Sequence, residues 1–268
     1  MKTTRSALIL AQVWALLLLA APAVARAESE TLARIRQRDR LIVGNNLVFP
    51  TFNSKNPATG QCEGFMADLA RALANRLLGD EKKLEFHPTE EATRLDDVSH
   101  GIVDLLIDTI PISDEKAKLV GFSDESFRSG SALLVKRGSP ITGLGDIKQG
   151  TRIAWVSANP DVKFIREKAP DATYLEFEKS AEAVAALRDG RADAFTQVVT
   201  HLYRAASQNP GYEVVGRFTT KPYAIVLQKG DTELRETLNA FLKSLRASGE
   251  YDRLFVKWFG PYAGAGAR

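Results

Sequence analysis

The 268-residue sequence is poor in the residues that build metal, redox and phosphate sites. It holds one cysteine and three histidines. Cys62 alone closes no internal disulfide, and no paired C-x-x-C exists for zinc or redox work. His87, His100 and His201 stand far apart and no H-E-x-x-H occurs, so no metal is expected. Phosphate-loop and dinucleotide fingerprints are missing. The glycines at 121, 130, 138, 143, 145 and 150 are spaced as turns, not as a cradle before a helix, and no cofactor is expected. No Gly-x-Ser-x-Gly elbow is present either. The chain shows no standard catalytic equipment.

Charge of one sign is lacking as well. There are 36 Lys and Arg against 33 Asp and Glu. Loss of residues 1–27 would remove Lys2, Arg5 and Arg26 and no acid, leaving 33 of each sign. No basic stripe is present for nucleic acid, so that partner is excluded. Long apolar runs are equally scarce. Ala7 to Ala21 is apolar except for Gln12, and it falls short of the roughly 20 residues a membrane span needs. Lys2 and Arg5 precede it, and Ala23-Val24-Ala25 and Ala25-Arg26-Ala27 follow at A-x-A spacing. This is the pattern of an export signal covering 1–27 and removed after Ala27.

What is present is a regular alternation of strand and helix patterns. Ser29 can cap a short helix that runs into the buried strand Leu41-Ile42-Val43-Gly44. Asn56 to Cys62 is polar and turn-rich, as a hairpin loop is. Cys62 within it has no base placed by spacing to activate it, and reads as a packed or exposed thiol. Phe65, Leu69, Leu73 and Leu77 fall four apart, and Gly79 closes that helix. Leu84 to His87 alternates as a strand, Arg94 to His100 forms a helix before Gly101, and Val103 to Ile107 is a further buried strand. The same alternation repeats from Ser131 to Phe195, with helices from Pro160 and over Ala181 to Leu187. It ends on a strand over Tyr223 to Leu227 and two amphipathic helices marked by Leu234, Leu238, Leu242, Leu245 and by Tyr251, Leu254, Phe255, Trp258. Such alternation predicts parallel sheets with helices on their faces.

The order of these segments resembles the bacterial extracellular solute-binding proteins of family 3, the polar amino-acid binders. Leu41 to Gly44 followed by Phe49-Pro50-Thr51-Phe52, then Glu63 to Ala70, Gly101 to Asp104, Ile112 to Lys116, Phe122-Ser123-Asp124, Gly190 to Ala194, Gly249 to Asp252 and Lys257 to Gly260 carry it. The resemblance covers about 32 to 262. It implies an α/β, two-lobed periplasmic binding protein fold of type II. Lobe one would be 32–128 plus 223–262, lobe two 133–218, and two crossover hinge strands would lie near Ser129–Leu133 and Arg217–Tyr223. It also implies a monomer in the periplasm that takes a small-molecule ligand between its lobes and serves an ABC transporter permease in the inner membrane.

The resemblance further implies a ligand site. Phe49 takes the position of an aromatic that packs on the ligand, Asn46 that of a polar contact, and Phe52 reads as lobe packing. Arg94, in Ala92-Thr93-Arg94-Leu95, is placed either to reach a ligand carboxylate or as a surface arginine bonded to Glu90, Glu91 or Asp97. Thr109 keeps a hydroxyl for the ligand, while Pro111 has lost an N–H. Asp108 is either an ammonium acceptor or a salt-bridge partner of Lys116 or Arg94. Lys116 stands where relatives clamp the α-carboxylate with an arginine, and it keeps the charge without the fork. The acid that accepts the ammonium falls at Val198, which cannot do so, beside Gln197 as an uncharged contact. Ser157 and Asn159 precede a helix and can hold an anion, and Asp161 reads as a first-turn helix acid. The scaffold therefore matches while the amino-acid recognition pair does not, which predicts a small polar, anionic ligand. Two other classes share the pattern: a dehydratase-like enzyme with Asp108 or Asp161 as its acid, and a periplasmic accessory protein of a quinoprotein dehydrogenase system.

Overall fold

The computed structural model describes residues 28–49, 51–157, 159 and 161–260. The export signal read over 1–27 lies outside them. The described chain opens on helix α1 (Glu30–Arg38), capped by the Ser29 hydroxyl on the Leu32 amide. Strands β1 (Leu41–Asn45), β5 (Leu84–Pro88) and β6 (Leu105–Leu106) run parallel, with Leu41 opposite Leu84 and Val43 opposite Leu105. Between them a small antiparallel sheet of β2 (Val48–Phe49), β3 (Asn53–Lys55) and β4 (Cys62–Glu63) forms the expected hairpin. Helix α2 (Phe65–Leu78) buries Phe65, Leu69 and Leu73 and ends on Gly79 in the left-handed region, as the spacing predicts. The short helices α3 (Arg94–Ser99) and α4 (Asp114–Ala117) flank β6. The strand read over Val103–Ile107 shrinks to two residues. On either side Asp104 and Ile107 still donate to Ile42 and Gly44, but Asp104 turns its carboxylate back to the Ile42 amide and to Arg38 and leaves the ladder.

Strand β7 (Gly121–Ser129) passes through Gly130 directly into β8 (Ser131–Lys136), which belongs to a second sheet. That sheet runs β10 (Thr173–Phe177), β9 (Arg152–Val156), β11 (Ala194–Val198), β8 and β12 (Tyr212–Val215), with β9 to β11 parallel and β8 antiparallel to its neighbours. Helices α5 (Val162–Lys168), α6 (Ser180–Arg188) and α7 (Val199–Gln208) belong to it. The chain then returns through 216–220 to β13 (Lys221–Leu227), which pairs antiparallel with β6 and β7 in the first sheet. Helices α8 (Thr232–Ala247) and α9 (Glu250–Phe259) close the first unit, burying Leu234, Leu238, Leu242 and Leu245 on one face as their spacing requires.

An aromatic cluster fills the first unit beneath the crossover. Phe127 meets Phe52 edge-on at 4.9 Å, Phe65 at 5.4 Å and Phe255 face-on at 5.9 Å. Such pairs add to plain area burial. The cluster does not stop at the sheet boundary: Phe255 on α9 meets Tyr203 on α7 at 5.8 Å, so the two units touch through their helices as well as their strands.

The crossovers lie side by side. The Ser131 amide donates to the Thr219 hydroxyl at 2.7 Å, and the Phe218 amide donates to the Ser131 carbonyl at 2.9 Å. Gly130 allows that approach with φ +142°, where a Cβ would stand 2.0 Å from the Thr219 carbonyl oxygen. Gly130→Ala is expected to lower stability by at least about 2 kcal/mol in urea denaturation, since both the strained φ and the backbone clash must be relieved. A cost below half that figure would show that the crossovers separate easily.

Candidate functional site

The loop after β1 and the segment after β6 meet at the edge of the first sheet, and Asp108 ties them together. Its side chain is fully buried. One oxygen accepts from the Thr109 amide at 2.7 Å and Asn53 Nδ2 at 3.1 Å. The other accepts from the Asn46 amide at 3.2 Å and from Arg94 Nη1 at 3.3 Å. Arg94, 8 % exposed, is held here by Asp108 and, at 3.6 Å, by Glu91. The salt bridge offered as one reading of Asp108 is present, to Arg94; Arg94 is buried where a helix-surface arginine was the alternative, and of the acids foreseen for it only Glu91 is in reach. Both are used up in positioning the loops. Burying a charge demands such saturation.

A cavity of about 270 Å³ opens between the two sheet units. From the first it is lined by Phe49, Thr51, Phe52, Thr109 and Tyr223; from the second by Val198, Thr200, His201 and Arg204. Phe49 sits in strand β2, 47 % exposed, between Leu47 and Thr51, which take positive φ values of 54° and 72°. Phe52, at 7 %, belongs to the aromatic core and shows the cavity one edge, as its packing assignment requires. Thr109 faces the cavity beside the Asp108 knot. On the opposite wall, β11 runs straight into α7. Val199, Thr200, Leu202, Tyr203, Ala205 and Ala206 are buried, while His201 and Arg204, three apart, are exposed; Thr200, His201 and Arg204 line the cavity.

No carboxylate lines this cavity among the described residues. Asp108 is sealed beneath it. Asp161, foreseen as a first-turn helix acid, precedes α5 and does something else. One of its oxygens accepts from the Ser131 hydroxyl at 2.7 Å and the Thr219 hydroxyl at 3.0 Å; the other pairs with Lys221 Nζ at 3.2 Å. It thus joins both crossovers. Burial works against its charge, but the bonds from Ser131, Thr219 and Lys221, with the lysine's charge, outweigh it and hold the carboxyl below its usual range. His201 is lowered, first by desolvation and then by the charge of Arg204. Cys62 is buried, and that burial pushes its thiol up to about 11. This is the packed form of the two foreseen.

The other residues singled out from the sequence do not line the cavity. Asn159 is buried, donating Nδ2 to the Thr196 carbonyl and accepting the Asp161 amide. Gln197 is buried and accepts the Val198 amide at 2.9 Å. Ser157 is exposed and donates to Glu176 at 2.8 Å. Asn46 contributes its backbone to Asp108 and its side-chain oxygen to the Val48 amide at 3.5 Å. Lys116, half-buried on α4, makes no ion pair among the described residues. His201 and Arg204 were not foreseen. Their signal, a T-H-x-x-R spacing just after a strand, is ordinary for a helix surface.

Two outcomes follow from the pairing. Arg94→Met strands a buried carboxylate, and unfolding in urea should show a loss of about 3–5 kcal/mol; a variant of native stability would free Arg94 for the ligand. Asp161 has a depressed folded pKa, so its contribution is present above the unfolded value near 3.9 and is lost as pH falls through the lower folded value. Asp161→Asn should therefore flatten the fall in melting temperature between about pH 4 and pH 2. An unchanged profile would leave the crossover bonds without energetic weight.

The comparisons with known proteins agree with this architecture. The model of the bacterial extracellular solute-binding proteins, family 3, matches residues 41–261. The ABC transporter glutamine-binding protein GlnH of Bacillus subtilis (strain 168) is 39 % identical over 232 residues, covering 86 % of this chain and 85 % of that protein. An ancestral cationic amino acid solute-binding protein of known structure is 33 % identical, with a TM-score of 0.70 over 85 % of this chain and 99 % of the other. An ancestral cyclohexadienyl dehydratase is 28 % identical, with a TM-score of 0.71 over 87 % and 98 %. With its two α/β units, double crossover and interlobe cavity, the chain belongs to the bacterial extracellular solute-binding proteins, family 3.

Proposed function

We propose that this protein is the periplasmic solute-binding component of an ABC transporter. In this reading it takes a small polar, anionic carboxylate between its lobes and presents it to an inner-membrane permease. The observation that carries the charge of the ligand is the acid-free lining of the interlobe cavity. An α-ammonium group desolvated there would have no carboxylate to meet, because Asp108 and Asp161 already hold their own cations and Val198 stands at the acceptor position. An anion would find Thr109, Thr200, His201 and Arg204. Lys116, the position at which relatives clamp a carboxylate, carries its charge without an ion-pair partner among the described residues.

The relative named for glutamine and the structure named for cationic amino acids bind those ligands in their own right. The lining found here suits neither charge type. The dehydratase-like alternative is disfavoured by the same observation, since both acids named for it are saturated by hydrogen bonds. General acid work needs a carboxyl facing the substrate.

A thermal-shift screen of the chain from Glu28 onward, over neutral and cationic amino acids, mono- and dicarboxylates and amines, tests the reading. Carboxylates at a hundredfold excess over their dissociation constant should stabilise the fold by roughly 2.7 kcal/mol. Lys116→Met should weaken that binding at least about tenfold. A shift confined to glutamine or arginine would replace the anionic ligand by an amino acid. Silence across the panel would remove the solute-binding role itself.

A further inference from the structure

The charge of the cavity is unevenly shared between its walls. The first unit offers aromatic faces and hydroxyls: Phe49, Phe52, Tyr223, Thr51 and Thr109. The second offers Arg204, with His201 one turn before it on the same face of α7. Arg204 makes no ion pair among the described residues, and its helix is anchored on the buried side by Val199, Leu202 and Tyr203. Its guanidinium is therefore a cation carried on an anchored helix, and its two-pronged fork suits a carboxylate. The wall that carries Arg204 offers no acid to an ammonium group among the described residues, and Val198 on it is apolar.

We infer that Arg204, assisted by His201, is the specificity-determining residue of lobe two and receives a second acidic group, so that the ligand is a compact dicarboxylate without an ammonium group. This rests on the solute-binding reading given above, in which Lys116 and Thr109 take the first carboxylate. A ligand with an acid at each end can pair one carboxylate with the Arg204 fork and offer the other to the Thr109 hydroxyl and, beyond the cavity lining, to Lys116 on the first unit; a monocarboxylate serves only one of these ends.

The test is titration calorimetry of the mature chain with succinate, glutarate, 2-oxoglutarate, acetate, glutamine and arginine, repeated on Arg204→Gln and Arg204→Lys. Dicarboxylates should bind at least about tenfold tighter than acetate or glutamine. Arg204→Gln should remove that preference, and Arg204→Lys should restore part of it by returning the charge without the fork. Circular dichroism melts of both variants should match the parent, since Arg204 is exposed. Tight glutamine or arginine binding that Arg204→Gln leaves unchanged would overturn the inference and leave the solute-binding role standing. Absence of binding to every probe would overturn both.

Discussion

The chain passes between the two units through two strands that touch at Gly130 and Thr219. The contact is backbone to backbone on one side and is closed by a carboxylate on the other. Asp161 belongs to the second unit, yet it bonds Ser131 on the outgoing strand and Thr219 and Lys221 on the returning one. A single anion therefore ties helix α5 to both crossovers. Its own amide is held by Asn159, which in turn holds the Thr196 carbonyl on β11, so the tie reaches the strand that feeds α7 and the cavity wall. Hydrogen bonds to a charged group are among the stronger ones a protein makes, and here three of them converge on a flexible point.

The first unit uses the same device at the other side of the cavity. Asp108 collects amides from two loops and a guanidinium from a third segment, so that Asn46, Thr109 and Arg94 are positioned by one buried carboxylate. The segment carrying Phe49 follows this knot, with two non-glycine residues at positive φ beside it, and its ring lines the cavity. Both acids are engaged in architecture, and the cavity lining holds hydroxyls, rings, an imidazole and one guanidinium.

The fold was legible in the sequence because burial in such sheets is periodic and redundant. The runs at Leu41–Gly44, Ser131–Lys136 and Arg152–Val156 are apolar on both faces, and the leucines of α2 and α8 repeat every three or four residues. Shortening of the strand around Leu105 was not legible, since it depends on Asp104 finding Ile42 and Arg38 across the sheet. The site was legible only in part. Phe49 and Thr109 could be placed by their loops after strands. Arg94 and Asp108 were identified as polar residues of one neighbourhood, and the choice between ligand contact and mutual pairing turned on burial, which one-dimensional spacing does not carry. Asp161 looked like a helix-capping acid because its partners lie 30, 58 and 60 positions away. His201 and Arg204 were silent, because a charged residue on a helix face gives no sign of what the face looks at.

That last point bears on how the cleft responds to a ligand. In the open cavity Arg204 is hydrated and costs nothing. Any closure that withdraws water from it must supply a counter-charge, because an unpaired buried cation is expensive and the wall opposite offers only hydroxyls and aromatic rings. The aromatic faces of Phe49 and Tyr223 can partly compensate a cation, but by less than a carboxylate in a two-pronged pair. Under the proposed reading, a closed state would be penalised when empty and released from that penalty by an anion. A ligand shifts such an equilibrium only by its differential affinity for the two states, and here that difference lies mainly in charge.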